Sequence, residues 1–230
     1  SLMTRYAIFG LPRTGSSLLG TILAGQPSSV YDMEMLHPRR WRGWHRLPYR
    51  FLRLYPHPYL NYRERTTRRQ GGRLYGFKLF PQHVRSPRRV LLELDRQGWR
   101  ILHVQRRNLF DQVLSVLVAR HTGRFNSAHT DALPHLHFDA AVVEREMERR
   151  RKRIPQIDEM LRGIEHIDVV YEEDLSDRSR WDALLARIGA DWGMSFAPAQ
   201  TAYQKTWQRP YSEIVVNYAE LRLQFEAPHP

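Results

Sequence analysis

Apolar positions along this chain fall into two alternating kinds, short solid runs and longer segments with apolar residues at helical spacing. The solid runs predict strands near 5–10, 29–33, 74–79, 100–105 and 166–171. The helical spacing predicts helices near 15–25, 87–97, 108–121, 139–163, 178–188 and 217–225. Strands alternating with helices predict an α/β fold in three layers, with a central, mainly parallel sheet flanked by helices. Residues 36–73 and 120–138 keep neither period and are expected as lids or acceptor-binding insertions beyond the carboxyl ends of the strands. No internal repeat is visible, and 230 residues suffice for one core, so a single domain over 1–230 is expected.

The first strand-to-helix junction carries the strongest chemical signal. Gly10-Leu-Pro-Arg-Thr-Gly15-Ser-Ser17 has the spacing of a phosphate-binding P-loop, except that Ser16 stands where that motif has lysine. Backbone N–H groups at a helix start cradle anions whether or not the lysine is present. Gly10 and Gly15 permit the turn, Thr14, Ser16 and Ser17 add hydroxyls, and the cation moves inside the loop as Arg13. The fold is therefore expected to be P-loop-like, with a loop better suited to a 5′-phosphate than to a triphosphate tail.

A second junction, ILHVQRRNLFDQVLSVLVA over 101–119, reads as a buried strand, a basic turn and an amphipathic helix first capped or charge-stabilised by Asn108 or Asp111. Arg107 and Ser115 stand eight residues apart, at the strand end and two turns along the helix, a spacing at which both could reach one phosphate.

With both segments the chain resembles the sulfotransferases that use 3′-phosphoadenosine 5′-phosphosulfate (PAPS). The PRTGSSLL stretch is similar to their 5′-phosphosulfate loop, and Arg107 with Ser115 to their 3′-phosphate pair. The arginine-bearing loop looks most like that of bacterial carbohydrate sulfotransferases, such as those acting on trehalose or nodulation factors. MEMLHP, GFKLF, VVYEEDL and EIVVNYAEL follow in family-like order. The resemblance implies PAPS as co-substrate, bound by Pro12, Arg13, Thr14, Gly15, Ser16, Ser17, Arg107 and Ser115, with Lys205 and Arg209 closing over the 3′-phosphate. Arg106 is the neighbouring alternative to Arg107, which the spacing favours.

Sulfonate transfer to an alcohol needs an in-line acceptor, a base for the hydroxyl proton and cations for the charge that develops. Arg13 and Lys78 are the expected cations; the resemblance places Lys78 near the bridging oxygen. In the cytosolic enzymes of the family the base is a histidine two residues after that lysine, and here the position is Phe80. The resemblance to the bacterial branch points instead to Glu34, with His83 and His37 as alternatives. The apolar neighbours Met33, Met35 and Leu36 are expected to raise the proton affinity of Glu34 by burial. No compact His/Asp/Glu ligand set stands out, and no metal is expected.

Charge and composition sharpen the picture. Lys+Arg 36 against Asp+Glu 24 give +12, a field that concentrates anionic ligands. Residues 37–73 interleave arginines with Trp41, Trp44, Tyr49, Phe51, Tyr55, Tyr59 and Tyr62, a pattern expected either to line the pocket of a hydroxylated small-molecule or glycan acceptor or to form a helical cover with aromatics inside and arginines outside. Residues 144–161, EREMERRRKRIPQIDEML, are expected as a solvated helix. The absence of cysteine permits a reducing compartment. No apolar run approaches a membrane span and SLMTRYAIFG lacks a signal-peptide core, so a cytoplasmic enzyme with no transmembrane segment is expected. Two other readings stand beside this one. A P-loop kinase or NTPase lacking its usual lysine is one; the other, a basic nucleic-acid-binding module, leaves the phosphate loop and the Arg107/Ser115 spacing unexplained, so nucleic acid is not expected as a partner.

Overall fold

The computed structural model describes residues 3–37, 46–123, 135–200 and 210–226. In order these form strand β1 (Thr4–Gly10), helix α1 (Ser16–Ala24), β2 (Ser29–Tyr31), α2 (Arg46–Leu54), α3 (His57–Arg69), β3 (Leu74–Leu79), α4 (Pro87–Arg96), β4 (Arg100–Gln105), α5 (Leu109–Thr122), α6 (Ala140–Leu161), β5 (His166–Val170), α7 (Trp181–Trp192), α8 (Tyr211–Ile214) and α9 (Tyr218–Phe225). The chain divides into two compact units, the first Ser1–Arg106 with Ile157–Ala202 and the second Arg107–Gln156 with Tyr203–Pro230.

The first unit holds the whole sheet. Its five strands are all parallel, in the order β2-β3-β1-β4-β5, and helices flank it, as the alternating pattern predicts. Successive side chains of a strand point to opposite faces. On one face Ala7, Phe9, Tyr75, Phe77, Leu79 and Ile101 join Leu60 of α3, Val90, Leu91 and Leu94 of α4, and Ile157 and Leu161 from the end of α6. On the other, Tyr6 stacks between Tyr31 and Trp192 of α7, while Leu19, Ile22 and Leu23 of α1 are fully buried. Because every strand runs the same way, all carboxyl ends lie along one edge. The outgoing connections diverge between β1 and β4, where such sheets form a ligand crevice.

Several boundaries differ from the sequence expectation for local reasons. Strand β2 stops at Tyr31 because Met33 takes a left-handed backbone, φ 47. Strand β5 stops at Val170, where a π turn over Tyr171–Leu175 closes with Ser176 N donating to Tyr171 O. Helix α7 starts late, after a 3₁₀ turn at Arg178–Arg180 capped by the Asp177 side chain, and ends at the left-handed Gly193.

Within 36–73 the irregular insertion is replaced by two helices. Tyr49 and Leu52 of α2, and Leu60 and Thr67 of α3, face inward. Phe51, Tyr55 and Tyr62 are exposed, so these aromatics are not the inside of a helical cover. Trp41 and Trp44 lie outside the described residues.

The second unit has its own core of Phe110, Val113, Leu114, Leu117 and Val118 of α5 with Val143 and Met147 of α6, Ile214, and Leu221 of α9. Asn108 provides the cap for α5, its Oδ1 accepting from Asp111 N at 2.9 Å. The charged segment 144–161 is not a simple solvated helix. Glu146 is buried and accepts from Arg120 at 2.8 Å and Arg149 at 2.9 Å.

Candidate active site

The phosphate-loop spacing folds into a tight left-handed turn between β1 and α1. A Cβ on Gly10 would lie 2.4 Å from Val104 O of β4, so only glycine allows this approach. Gly15 is the residue before α1, at φ 96, with the ring of Tyr171 close against its Cα. Arg13 itself is left-handed at φ 69, a conformation that costs a non-glycine residue of order 1 kcal/mol or more and persists where the surroundings enforce it. Among the described residues three non-glycine positions have positive φ, and two of them, Arg13 and Met33, adjoin the groups described next.

The loop hydroxyls divide their tasks. Thr14 is buried and its Oγ1 donates to Leu11 O at 2.9 Å, so its proton staples the loop instead of facing a ligand. Ser16 is buried at the helix start. Ser17 accepts from Lys78 Nζ at 2.8 Å, which leaves its own O–H to donate. Helix α1 has no side-chain N-cap and no acidic residue in its first turn, so its N-terminal N–H groups keep their positive field.

Lys78 alternates onto the α1 face of β3, between Phe77 and Leu79, and is 1 % exposed. A strand-end lysine in solvent is thereby excluded. Its ammonium bonds Ser17, pairs with Glu34 Oε1 at 2.7 Å and sits 5.0 Å from the centre of the Phe80 ring. Burial pushes the Lys78 pKa down, the Glu34 carboxylate opposes this, and Arg13 adds to the depression. The lysine missing from position 16 thus has a counterpart delivered from β3 to the same loop.

Glu34 lies just past β2, in a turn closed by His37 N donating to Glu34 O. Lys78 N donates to Met33 O at 2.8 Å, which ties this turn to β3. Burial raises the Glu34 pKa, as its apolar neighbours suggest, but His83 and Lys78 outweigh it and hold the carboxyl at about 2. In this state Glu34 is a carboxylate with less proton affinity than an ordinary one, the reverse of the expectation.

His83 reaches the site through the 3₁₀ turn Pro81–His83. Phe80 N donates to its Nδ1 at 3.2 Å, so the ring proton sits on Nε2. That buried Nε2 points at Glu34 Oε2 from 3.7 Å, beyond hydrogen-bond length and without another hydrogen-bond partner. The ring of His37 packs edge-on at 5.6 Å.

Asp32, two residues before Glu34, was not singled out by any sequence motif. It is gripped by both Arg63 Nε at 2.7 Å and Nη2 at 2.6 Å, and receives the Tyr75 hydroxyl at 2.9 Å. This clamp fixes the Glu34 turn against α3 and β3.

Of the remaining expected residues, Pro12 is half-buried in the loop. Arg106 stacks on Tyr171 at 4.6 Å and lies 3.7 Å from Glu172, whereas Arg107 is exposed. Ser115 is buried on α5, in the second unit with Arg107. Lys205 and Arg209 lie outside the described residues. Of the expected residues, Arg13, Ser17, Glu34 and Lys78 gather at one place, with His83 beside Glu34. Among the described residues no helix is long and apolar enough to cross a membrane. No protein-family model matches the chain, and no curated protein matches it.

Proposed function

We propose that this chain is a sulfotransferase that moves the sulfonate group of PAPS to a hydroxyl of an acceptor, with a carbohydrate or glycolipid favoured. The observation that carries the reading is the buried Lys78, which joins the phosphate-type loop at Ser17 to a carboxylate at Glu34. An anion on the loop meets the N-terminal N–H groups of α1, the Ser17 hydroxyl, Arg13 and Lys78, with no need for a Walker-type lysine.

In the transfer, the acceptor oxygen forms a bond to sulfur as the bond from sulfur to the bridging phosphate oxygen breaks. The acceptor proton passes to Glu34, and adenosine 3′,5′-bisphosphate leaves with the bonding electron pair. Lys78 and Arg13 neutralise the charge on the leaving oxygen. The same Lys78 regulates the base. His83 and Lys78 together hold the carboxyl near 2, and once Lys78 turns to the donor's bridging oxygen one of these two opposing partners is gone and the proton affinity of Glu34 rises. A cytosolic site of action accords with a cytosolic nucleotide donor.

Incubation of the protein with sulfur-labelled PAPS and a panel of sugars, glycolipids and phenols tests the reading. Label is expected on a hydroxylated acceptor, and its transfer is expected to vanish in Glu34→Gln. Hydrolysis of ATP or GTP with magnesium, with PAPS left intact, contradicts it in favour of a P-loop NTPase.

A further inference from the structure

Strand register brings His103 to His166 and Asp168, more than sixty positions further along the sequence. His103 of β4 is paired with Asp168 of β5, and His166 lies two residues before Asp168, so all three share one face of the sheet. A ligand atom from each lies within 4.8 Å of the other two.

The hydrogen bonds around the trio orient it for a cation. His166 Nδ1 lies 2.7 Å from Ile164 O, and since a carbonyl only accepts, Nδ1 carries the ring proton. The lone pair is then on Nε2, which faces Asp168 Oδ1 at 3.8 Å. In the neutral ring that nitrogen and the carboxylate oxygen are both acceptors. A ring nitrogen presented this way, its partner nitrogen held by a backbone carbonyl, is the usual support for a metal-binding histidine. On the other side His103 Nδ1 lies 2.8 Å from the same Oδ1, and Gln105 Nε2 donates to it at 3.2 Å. Asp158 adds a further negative charge near His103.

We propose that His103, His166 and Asp168 form a site for a zinc-class divalent cation that clamps the edge strand β5 to β4. Two nitrogens and one carboxylate oxygen suit Zn²⁺ and its neighbours rather than Mg²⁺ or Ca²⁺. Tetrahedral zinc with bonds of about 2.0–2.1 Å sets its ligand atoms about 3.3 Å apart. The two distances to Asp168, 2.8 Å and 3.8 Å, bracket that value. On binding, the His103 ring takes the tautomer with its proton on Nε2, so that Nδ1, the nitrogen that faces Asp168, gives its lone pair to the metal. Asp168 is exposed, which leaves a fourth position open to water. The site is independent of Glu34 and Lys78.

Titration of the full chain, stripped with a chelator, with ZnCl₂ by calorimetry and by thermal melting tests the site. One Zn²⁺ per chain is expected, with a rise in melting temperature. His166→Ala, at a partly exposed position, and Asp168→Asn are each expected to weaken binding at least about tenfold and to abolish the rise. Glu34→Gln is the control for the His37–His83–Glu34 group and is expected to bind as the wild type does. No binding by the wild type, equal binding by wild type and His166→Ala, or loss of binding in Glu34→Gln overturns the proposal.

Discussion

Asp32 and Glu34 stand two residues apart on one turn, and their surroundings differ in kind. Asp32 is saturated: a two-pronged guanidinium from Arg63 and the Tyr75 hydroxyl occupy its oxygens at 2.6–2.9 Å. Glu34 has one short partner, Lys78, and one long one, His83 at 3.7 Å. A bidentate arginine fixes geometry, whereas a lysine is a point charge that can turn to another anion without dismantling the fold. The first carboxylate holds the turn, and the second is left able to exchange a partner for a proton.

The contrast predicts opposite phenotypes. Under the proposed mechanism Glu34→Gln removes the base and is expected to lower turnover by about 10²–10⁴, with affinity for adenosine 3′,5′-bisphosphate retained; steady-state kinetics with calorimetry read both. Lys78→Met is expected to lower turnover by about 10²–10³ and also to weaken the bisphosphate, because one ammonium serves both the leaving group and the loop. Unchanged bisphosphate affinity in this variant would break the link between Lys78 and the donor.

Asp32→Asn is expected to act on stability first, lowering it by about 2 kcal/mol in urea unfolding, and Tyr75→Phe by about 1 kcal/mol, since each removes a partner from a half-buried ionic hydrogen-bond set. If either reduced turnover as severely as Glu34→Gln at full folding, the division between clamp and base would fail.

The last effect is read in acid. The folded Glu34 pKa is held at about 2 against an ordinary 4.5, so the folded state binds fewer protons than the unfolded one. Its contribution is complete above about 4.5 and is lost as pH falls through about 2. Wild-type stability should therefore drop more steeply across that window than Glu34→Gln stability, as denaturant midpoints would show.

Much of this was legible in the sequence because it rests on short-range pattern. The five strands announce themselves as apolar runs, and GLPRTGSS by its glycine spacing. Helices α2 and α3 were hidden because Pro48, Pro56 and Pro58 and a dense series of arginines blur the period, although Tyr49 with Leu52 marks an inward face. Arg13, Lys78 and Glu34 were marked by motif and resemblance, but the bond from Lys78 to Ser17 and the depression of the Glu34 pKa depend on distances between strands. The Arg63–Asp32–Tyr75 clamp and the His103–His166–Asp168 trio had no local signature at all. Their members meet only through sheet register and helix packing.

The central claim is a donor site for an adenosine bisphosphate, and a thermal-shift comparison of adenosine 3′,5′-bisphosphate with AMP, ADP and ATP tests it most directly. At a hundredfold excess over Kd, linkage stabilises the folded state by about 2.7 kcal/mol, or roughly 5–10 °C for a chain of this size. A shift of that order with the bisphosphate, and a much smaller one with AMP, ADP and ATP, is the predicted result. Stabilisation by ATP or ADP with magnesium and none by the bisphosphate would contradict the account.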